Sequence, residues 1–414
     1  MFSGIDWRRA FMKTMGGYAM VPETRASKRF LRIKATVICP LLLVGLAPVP
    51  ARAQLSTNDH LAEPGWWPRR EPASLKEFVG NAACAKCHSR ITASQEATSM
   101  ARTLTRAVDA EVLHSRSDLA FRNGKYVYQI KAKATATQLT VTDGESNIAT
   151  NLVWAFGTGK LGQSYLFLQN GRYRESRVTY FSSLQNLNFT PTRALLSPHD
   201  LAEAASRPVD TSELLRCFSC HSLGANVGGQ LDTSKATMGV VCEACHGPGQ
   251  KHVQAMEAIQ LEQGIGNETG QPLIFNPGRL SPGDSVDFCG SCHGTWWDVK
   301  LAHVTGIANV RTQPYRLMQS KCWGDGDARL TCISCHNPHE TLSKDNASYD
   351  AKCLACHVTS PMDKATRDHP GPACPVGTKD CVNCHMPKIE IPEMHSAFAD
   401  HLIRVVRKDA PIPE

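Results

Sequence analysis

The sequence predicts an α+β chain, loop-rich and built on short helices, with a small antiparallel β-domain set into it. Two observations carry this. A C-x-x-C-H motif occurs seven times, at Cys84–Cys87–His88, Cys217–Cys220–His221, Cys242–Cys245–His246, Cys289–Cys292–His293, Cys332–Cys335–His336, Cys353–Cys356–His357 and Cys381–Cys384–His385, and the last six crowd into residues 217–385. The interval between the first two copies, residues 89–216, has a different texture, with hairpin turns between alternating apolar runs.

The motif fixes the chemistry. Two thiols three residues apart add across the two vinyl groups of one haem, and the adjacent imidazole binds its iron, so the pattern codes for attachment of c-type haem. Zinc sites and disulfide frameworks also use C-x-x-C pairs, but neither needs a histidine beside the second cysteine. With only 16 His in 414 residues, a histidine at all seven such positions is not a coincidence. Seven haem c groups per chain are expected, each with a proximal histidine: His88, His221, His246, His293, His336, His357 and His385.

In chain order, residues 1–53 carry Arg and Lys, then the apolar run Ala35–Pro50, then Ala51-Arg52-Ala53 before Gln54, which reads as a secretory signal. The run is too short and proline-rich for a membrane helix, and no other stretch approaches about 18 apolar residues. A mature chain without a transmembrane span, periplasmic or otherwise extracytoplasmic, is expected. Arg8-Arg9 lacks a directly following apolar run, so its likeness to a twin-arginine signal is taken as coincidence. Met20 is an alternative start, and Cys39 leaves with the signal. Residues 1–53 hold nine Lys/Arg and two Asp/Glu, the whole formal net charge of +7, leaving 36 of each sign. Haem propionates make the mature protein acidic, which argues against a nucleic-acid partner and for redox partner proteins.

Residues 54–80 read as an extended lead-in, with Trp66-Trp67 expected to pack on the first haem lobe, and 81–110 as the first haem segment with a helix over Ser89–Leu104. Met100 on that helix is a candidate sixth ligand for the first iron, with core packing as the alternative. Residues 111–200 form the β-domain, which either covers haems or docks a redox partner. Gly157-Thr158-Gly159-Lys160-Leu161-Gly162 matches G-x-G-x-x-G, but a strand-like run follows it where a dinucleotide site needs a helix, so it reads as a glycine loop. Residues 201–404 form a hexahaem domain and 405–414 a tail.

Nine histidines lie outside the motifs. His252, His303, His339, His369 and His395 are the stronger candidates for distal iron ligands, followed by His114, His199 and His401, while His60 is expected to be a surface residue. His252 and His339 lie so soon after their own motifs that each is expected to cross to a neighbouring haem. Cys322 and Cys374 form either a disulfide or two buried thiols.

Several flanks are more specific than the motif itself. FVGNAACAKCH with SMA after it, CEACHGPGQKH, NPGRLSP before CGSCH, KCW before LTCISCHNPHE, and CVNCHMPK followed by FADHLI resemble the multihaem cytochromes of the cytochrome c-552/c-554 type, over residues 78–105 and 213–404. The resemblance implies a multihaem cytochrome c fold with short helices around stacked haems, mostly His/His ligation, and extracytoplasmic electron transfer. Relatives often carry a distal histidine after the first motif, where this chain has Ser99-Met100. The compact tetrahaem members have no counterpart of residues 111–200. An electron carrier is the favoured function. The alternative is a reductase of a small nitrogen or sulfur oxyanion at one open-faced haem, and a third reading is a haem-bearing scaffold.

Overall fold

The computed structural model describes residues 74–407 and 412, apart from 117, 192–196, 262–272, 302, 325–329 and 358–373. The signal, most of the lead-in with His60 and Trp66-Trp67, and His369 lie outside the described residues. Among these residues no helix is long and apolar enough to cross a membrane.

Helices and antiparallel sheets both occur, as expected. One ten-stranded sheet dominates: β1 (Leu104–Arg106), β2 (Asp118–Asn123), β3 (Tyr126–Ala132), β4 (Thr137–Thr142), β5 (Asn147–Phe156), β6 (Gly162–Gln169), β7 (Arg172–Ser176), β8 (Val178–Phe181), β9 (Asn186–Phe189) and β10 (Ser206–Pro208). Its main path runs β10-β7-β6-β5-β4-β3-β2, with β1 added on β5, and β8 on β6 and β9. The sheet therefore extends on both sides of residues 111–200, since β1 and β10 lie outside that span.

Side-chain alternation builds the sheet's core. Tyr126, Tyr128 and Ile130 of β3 point to the same interior as Thr137, Leu139 and Val141 of β4, and Tyr128 pairs with Val141 across the ladder. Asn170 (φ 51°) and Gly171 (φ 70°) make the two-residue turn from β6 to β7, with left-handed backbone at both positions as a type I′ turn requires. β9 folds back over β2, where Phe189 meets Phe121 edge-on with ring centres 5.1 Å apart.

The glycine loop joins β5 to β6 and is followed by a strand, as the sequence implies. Gly159 (φ 75°) packs so closely on Val112 that a Cβ would lie 2.1 Å from that side chain, so its glycines serve a tight turn.

Outside the sheet the helices are short and mostly end on the motifs. Helix α1 (Asn81–Glu96) breaks its helical geometry at His88 (φ −112°, ψ 38°) and ends at Glu96. The helix expected over Ser89–Leu104 therefore stops early, because Thr98 Oγ accepts the Ala101 N–H (3.1 Å) and turns the chain into β1. Met100 lies in this turn, and its carbonyl accepts the Val240 N–H (3.0 Å). Gly239 (φ 80°) makes the same junction; a Cβ there would lie 1.8 Å from the Ala101 carbonyl oxygen. Gly239→Ala is expected to lower unfolding stability by about 2 kcal/mol, read as a lower urea midpoint, because it adds both left-handed strain and a backbone clash.

Candidate haem-binding sites

Each motif is wound on a helical turn, which brings its two cysteines onto one face with the histidine one residue beyond. The second lies at the end of α2 (Thr211–His221), the third is α3 (Cys242–His246), the fourth closes α4 (Pro282–His293), the fifth is α5 (Cys332–Cys335), the sixth ends α6 (Ala347–Leu354) and the seventh is α7 (Cys381–His385). Local caps start three of them. Asp210 caps α2 through the Glu213 N–H (2.8 Å), Ser281 caps α4 with Pro282 at its first position, and Thr331 forms a capping box with Ser334 on α5.

Asp345 caps the start of α6 through the Ala347 N–H (3.0 Å), and the starts at the first, third and seventh motifs are supplied by other motifs. Glu243, inside the third motif and 2% exposed, accepts the N–H groups of Val79 (3.0 Å), Gly80 (2.8 Å) and Gly249 (2.8 Å), and Asn81 in return accepts the Cys242 N–H (3.1 Å). Asp350, on α6, accepts the N–H groups of Asp380 and Cys381 at 2.9 Å each, and the Cys381 N–H above all holds its carboxyl below the usual range. The first and third motifs are thus tied together, as are the sixth and seventh.

The sulfurs follow the same pattern. Thiols touch between Cys84 and Cys242, Cys220 and Cys292, Cys289 and Cys332, and Cys353 and Cys381. The hydrogen bond from Cys242 pulls the Cys84 thiol down to about 7. Cys220 also contacts the Ser291 carbonyl at 3.7 Å, Phe275 meets Phe288 at 5.9 Å between the third and fourth motifs, and His336 meets Tyr349 of α6 at 5.7 Å. Cys322 and Cys374 are both thiols, with no bridge between them.

Three imidazole pairs bring different motifs together. His88 faces His252 with ring centres 6.5 Å apart and 16° between planes, His246 faces His339 at 6.0 Å and 8°, and His336 faces His401 at 6.2 Å and 44°. These distances lie near the sum, roughly 6 Å, of two metal–imidazole bonds of about 2 Å each with half a ring on either side.

The nitrogens agree. Nδ1 of His221, His246, His385 and His401 bonds to the carbonyls of Thr103 (3.1 Å), Phe275 (2.9 Å), Arg404 (2.9 Å) and Ala399 (3.0 Å), which leaves each Nε2 lone pair for a metal. Burial lowers the pKa of His252 and His339, and that of His401 to about 4, favouring the neutral form that ligates. Residues, spacing and tautomers all fit haem.

The structure separates the other candidates. The imidazole near His88 is that of His252, and the Met100 carbonyl is bonded to the Val240 N–H within its turn, so Met100 stays a candidate with His252 as its competitor at the first site. His401, ranked low on sequence, is one of the paired rings, with no signal beyond its place in FADHLI. His395 (φ 48°) turns toward the sheet, with Phe181 edge-on at 4.8 Å. His114 Nε2 is bonded to the Val108 carbonyl, His199 is exposed with its N–H on Glu203 (3.0 Å), and His303 (φ 50°) is exposed. The sheet meets the second motif in a separate apolar cluster: Trp154 and Phe156 pack edge-on against Phe218 at 5.6 and 5.4 Å, and Phe156 against His221 at 5.2 Å.

Known proteins match this chain in part. The family described as "Cytochrome c554 and c-prime" matches residues 184–247, from the end of the sheet through the third motif. The multiheme cytochrome MtrA of Shewanella baltica (strain OS185) is 29% identical over 184 residues, 41% of this chain and 45% of the relative, so the chain spans about half the length of that protein. The crystal structure of the outer cell wall cytochrome OcwA aligns over 80% of each chain at 16% identity, with a TM-score of 0.42, too distant a likeness to carry an argument. The seven attachment motifs and these partial sequence matches support a multihaem c-type cytochrome, to which the chain is similar over the matched residues.

Proposed function

We propose that this protein is an extracytoplasmic electron carrier holding seven haem c groups, one per motif, in a continuous but branched row. The observation that carries the reading is the set of three imidazole pairs, each joining a motif histidine to one that follows a different motif. On this reading His252 completes the first site, His339 the third and His401 the fifth. His303, His369 and His395, with His114 and His199, remain the candidates for the other four, and Met100 becomes packing.

Bound haem c supplies a one-electron ferric/ferrous couple. The chain's part is to hold, orient and crowd the sites. Cysteine pairs anchor each one, carbonyl-bound Nδ1 atoms fix the rings of His221, His246, His385 and His401, and neighbouring motifs share caps and lie with their cysteines side by side. These contacts support an order unlike that of the sequence: first to third, third to fourth, fourth to fifth, then sixth and seventh, with the second joined at the fourth beneath the sheet. On this reading the first site is folded against the cluster rather than detached. A reductase needs one iron with an open face, and three of the seven proximal imidazoles already have another imidazole opposite. Export through residues 1–53 suits haem attachment outside the cytoplasm, and redox proteins are the partners proposed.

The count has a simple test. The intact mass of the exported protein is expected to exceed that of the polypeptide by seven haems. A stable shortfall in a host with full attachment machinery would defeat it.

A further inference from the structure

We propose that Asp400 is a positioning residue that sets two haem sites at once, the fifth through His401 and the seventh through His385. The proposal rests on the reading of His401 as an iron ligand.

Residues 400–403 have no regular secondary structure, and a single backbone bond, from the Asp400 N–H to the Pro387 carbonyl (2.9 Å), ties the start of the strap that carries His401. Side chains do the rest. The Asp400 carboxylate, fully buried, accepts Nε and Nη2 of Arg316 at 2.8 Å each, in the two-pronged geometry that fixes both partners, and Arg316 is itself 1% exposed. It also accepts Arg404 Nη1 at 2.7 Å and, on Oδ1, the Leu402 N–H at 3.1 Å. Ser320 completes the frame, taking the Ile403 N–H (2.9 Å) and donating to the His401 carbonyl (3.2 Å).

The hydrogen bonds therefore bracket His401 on both sides and present its ring to His336. The same strap reaches the seventh motif. The Arg404 N–H donates to the His385 carbonyl (3.2 Å), and the Arg404 carbonyl accepts His385 Nδ1 (2.9 Å), the bond that selects which ring nitrogen of His385 is left for iron. Arg404 is held from its other end by Asp400. One carboxylate thus controls the approach of a distal ligand at one site and the ring orientation of a proximal ligand at another. Because it pairs with two guanidinium groups away from water, a neutral replacement leaves positive charge uncompensated and loosens the whole strap.

The test compares Asp400→Asn with His401→Ala in the fully haem-loaded chain, by low-temperature EPR and potentiometric titration. His401→Ala is expected to convert one of the low-spin ferric sites to high spin, reversed by added imidazole, and to leave the seventh site's midpoint in place. Asp400→Asn is expected to give the same high-spin signal in part of the population and, in addition, to displace a second midpoint. If His401→Ala produces no high-spin signal, the ligand reading fails. If it does, while Asp400→Asn retains wild-type spectrum and midpoints, the positioning role is overturned. Should Asp400→Asn not mature, Arg316→Lys decides the matter: it keeps the charge and loses the fork, and is expected to show the two-site signature in milder form, while wild-type behaviour would overturn the proposal.

Discussion

His339→Ala is expected to open the haem held by Cys242 and Cys245, leaving the one held by Cys332 and Cys335 intact, although His339 lies three residues after His336. The reason is geometric. His339 faces His246 at 6.0 Å with nearly parallel planes, and its carbonyl is fixed by Ser94 Oγ of α1 at 2.6 Å, so its loop is directed toward the first and third motifs. The fifth site has His401 opposite His336 instead. Removing the imidazole takes a strong donor from ferric iron, so one midpoint should rise by an amount on the order of 100 mV, within the roughly 0.8 V range that axial ligation spans. A high-spin ferric signal should appear with it. Assignment follows from combining His339→Ala with loss of the third motif's cysteines, which should abolish the new signal. A signal that persists there would place His339 at another iron.

Glu243→Ala should be the most destabilising single change at the junction of the first and third motifs. The carboxylate satisfies three backbone N–H groups in or near the interior, two of them 163 and 164 residues away in sequence. A buried donor left without an acceptor costs about 1–3 kcal/mol. Water reaches the Val79 and Gly80 groups in part, so the expected loss is about 3–4 kcal/mol, read as a lower denaturant midpoint of the haem-loaded protein. Glu243→Gln, which keeps one oxygen acceptor, should lose roughly half as much. Faster proteolysis near residue 80 should accompany the alanine change. An unchanged midpoint would mean that the two motifs are held together by other contacts.

The motifs, the turn chemistry and the pairing of His252 and His339 with histidines of other motifs follow from local features: a spacing, a glycine, or a histidine too near its own motif to reach the far side of the same site. β5, the spine of the sheet, was not legible in this way. Its first half carries Asn147, Thr150 and Asn151, which blur the alternation that marks β3 and β4, and its place is fixed by partners on both sides. The pairing of His401 with His336 was hidden for another reason. The residue before it, Asp400, is bound to Arg316, 84 positions from that carboxylate, and no local pattern reports a contact over that separation. No local pattern marks Glu243 and Asp350 as caps, and only the arrangement of motifs makes them so.

The most direct test of the account is a potentiometric titration of the fully haem-loaded protein followed by low-temperature EPR. Seven closely coupled sites, each with two strong axial ligands, predict low-spin ferric signals only, disappearing over one broad and overlapping reduction curve with no detached step. A high-spin signal in the unaltered protein that shifts on adding nitrite, or one haem titrating apart from the rest, would contradict the row of closed sites and restore a reductase as the better reading.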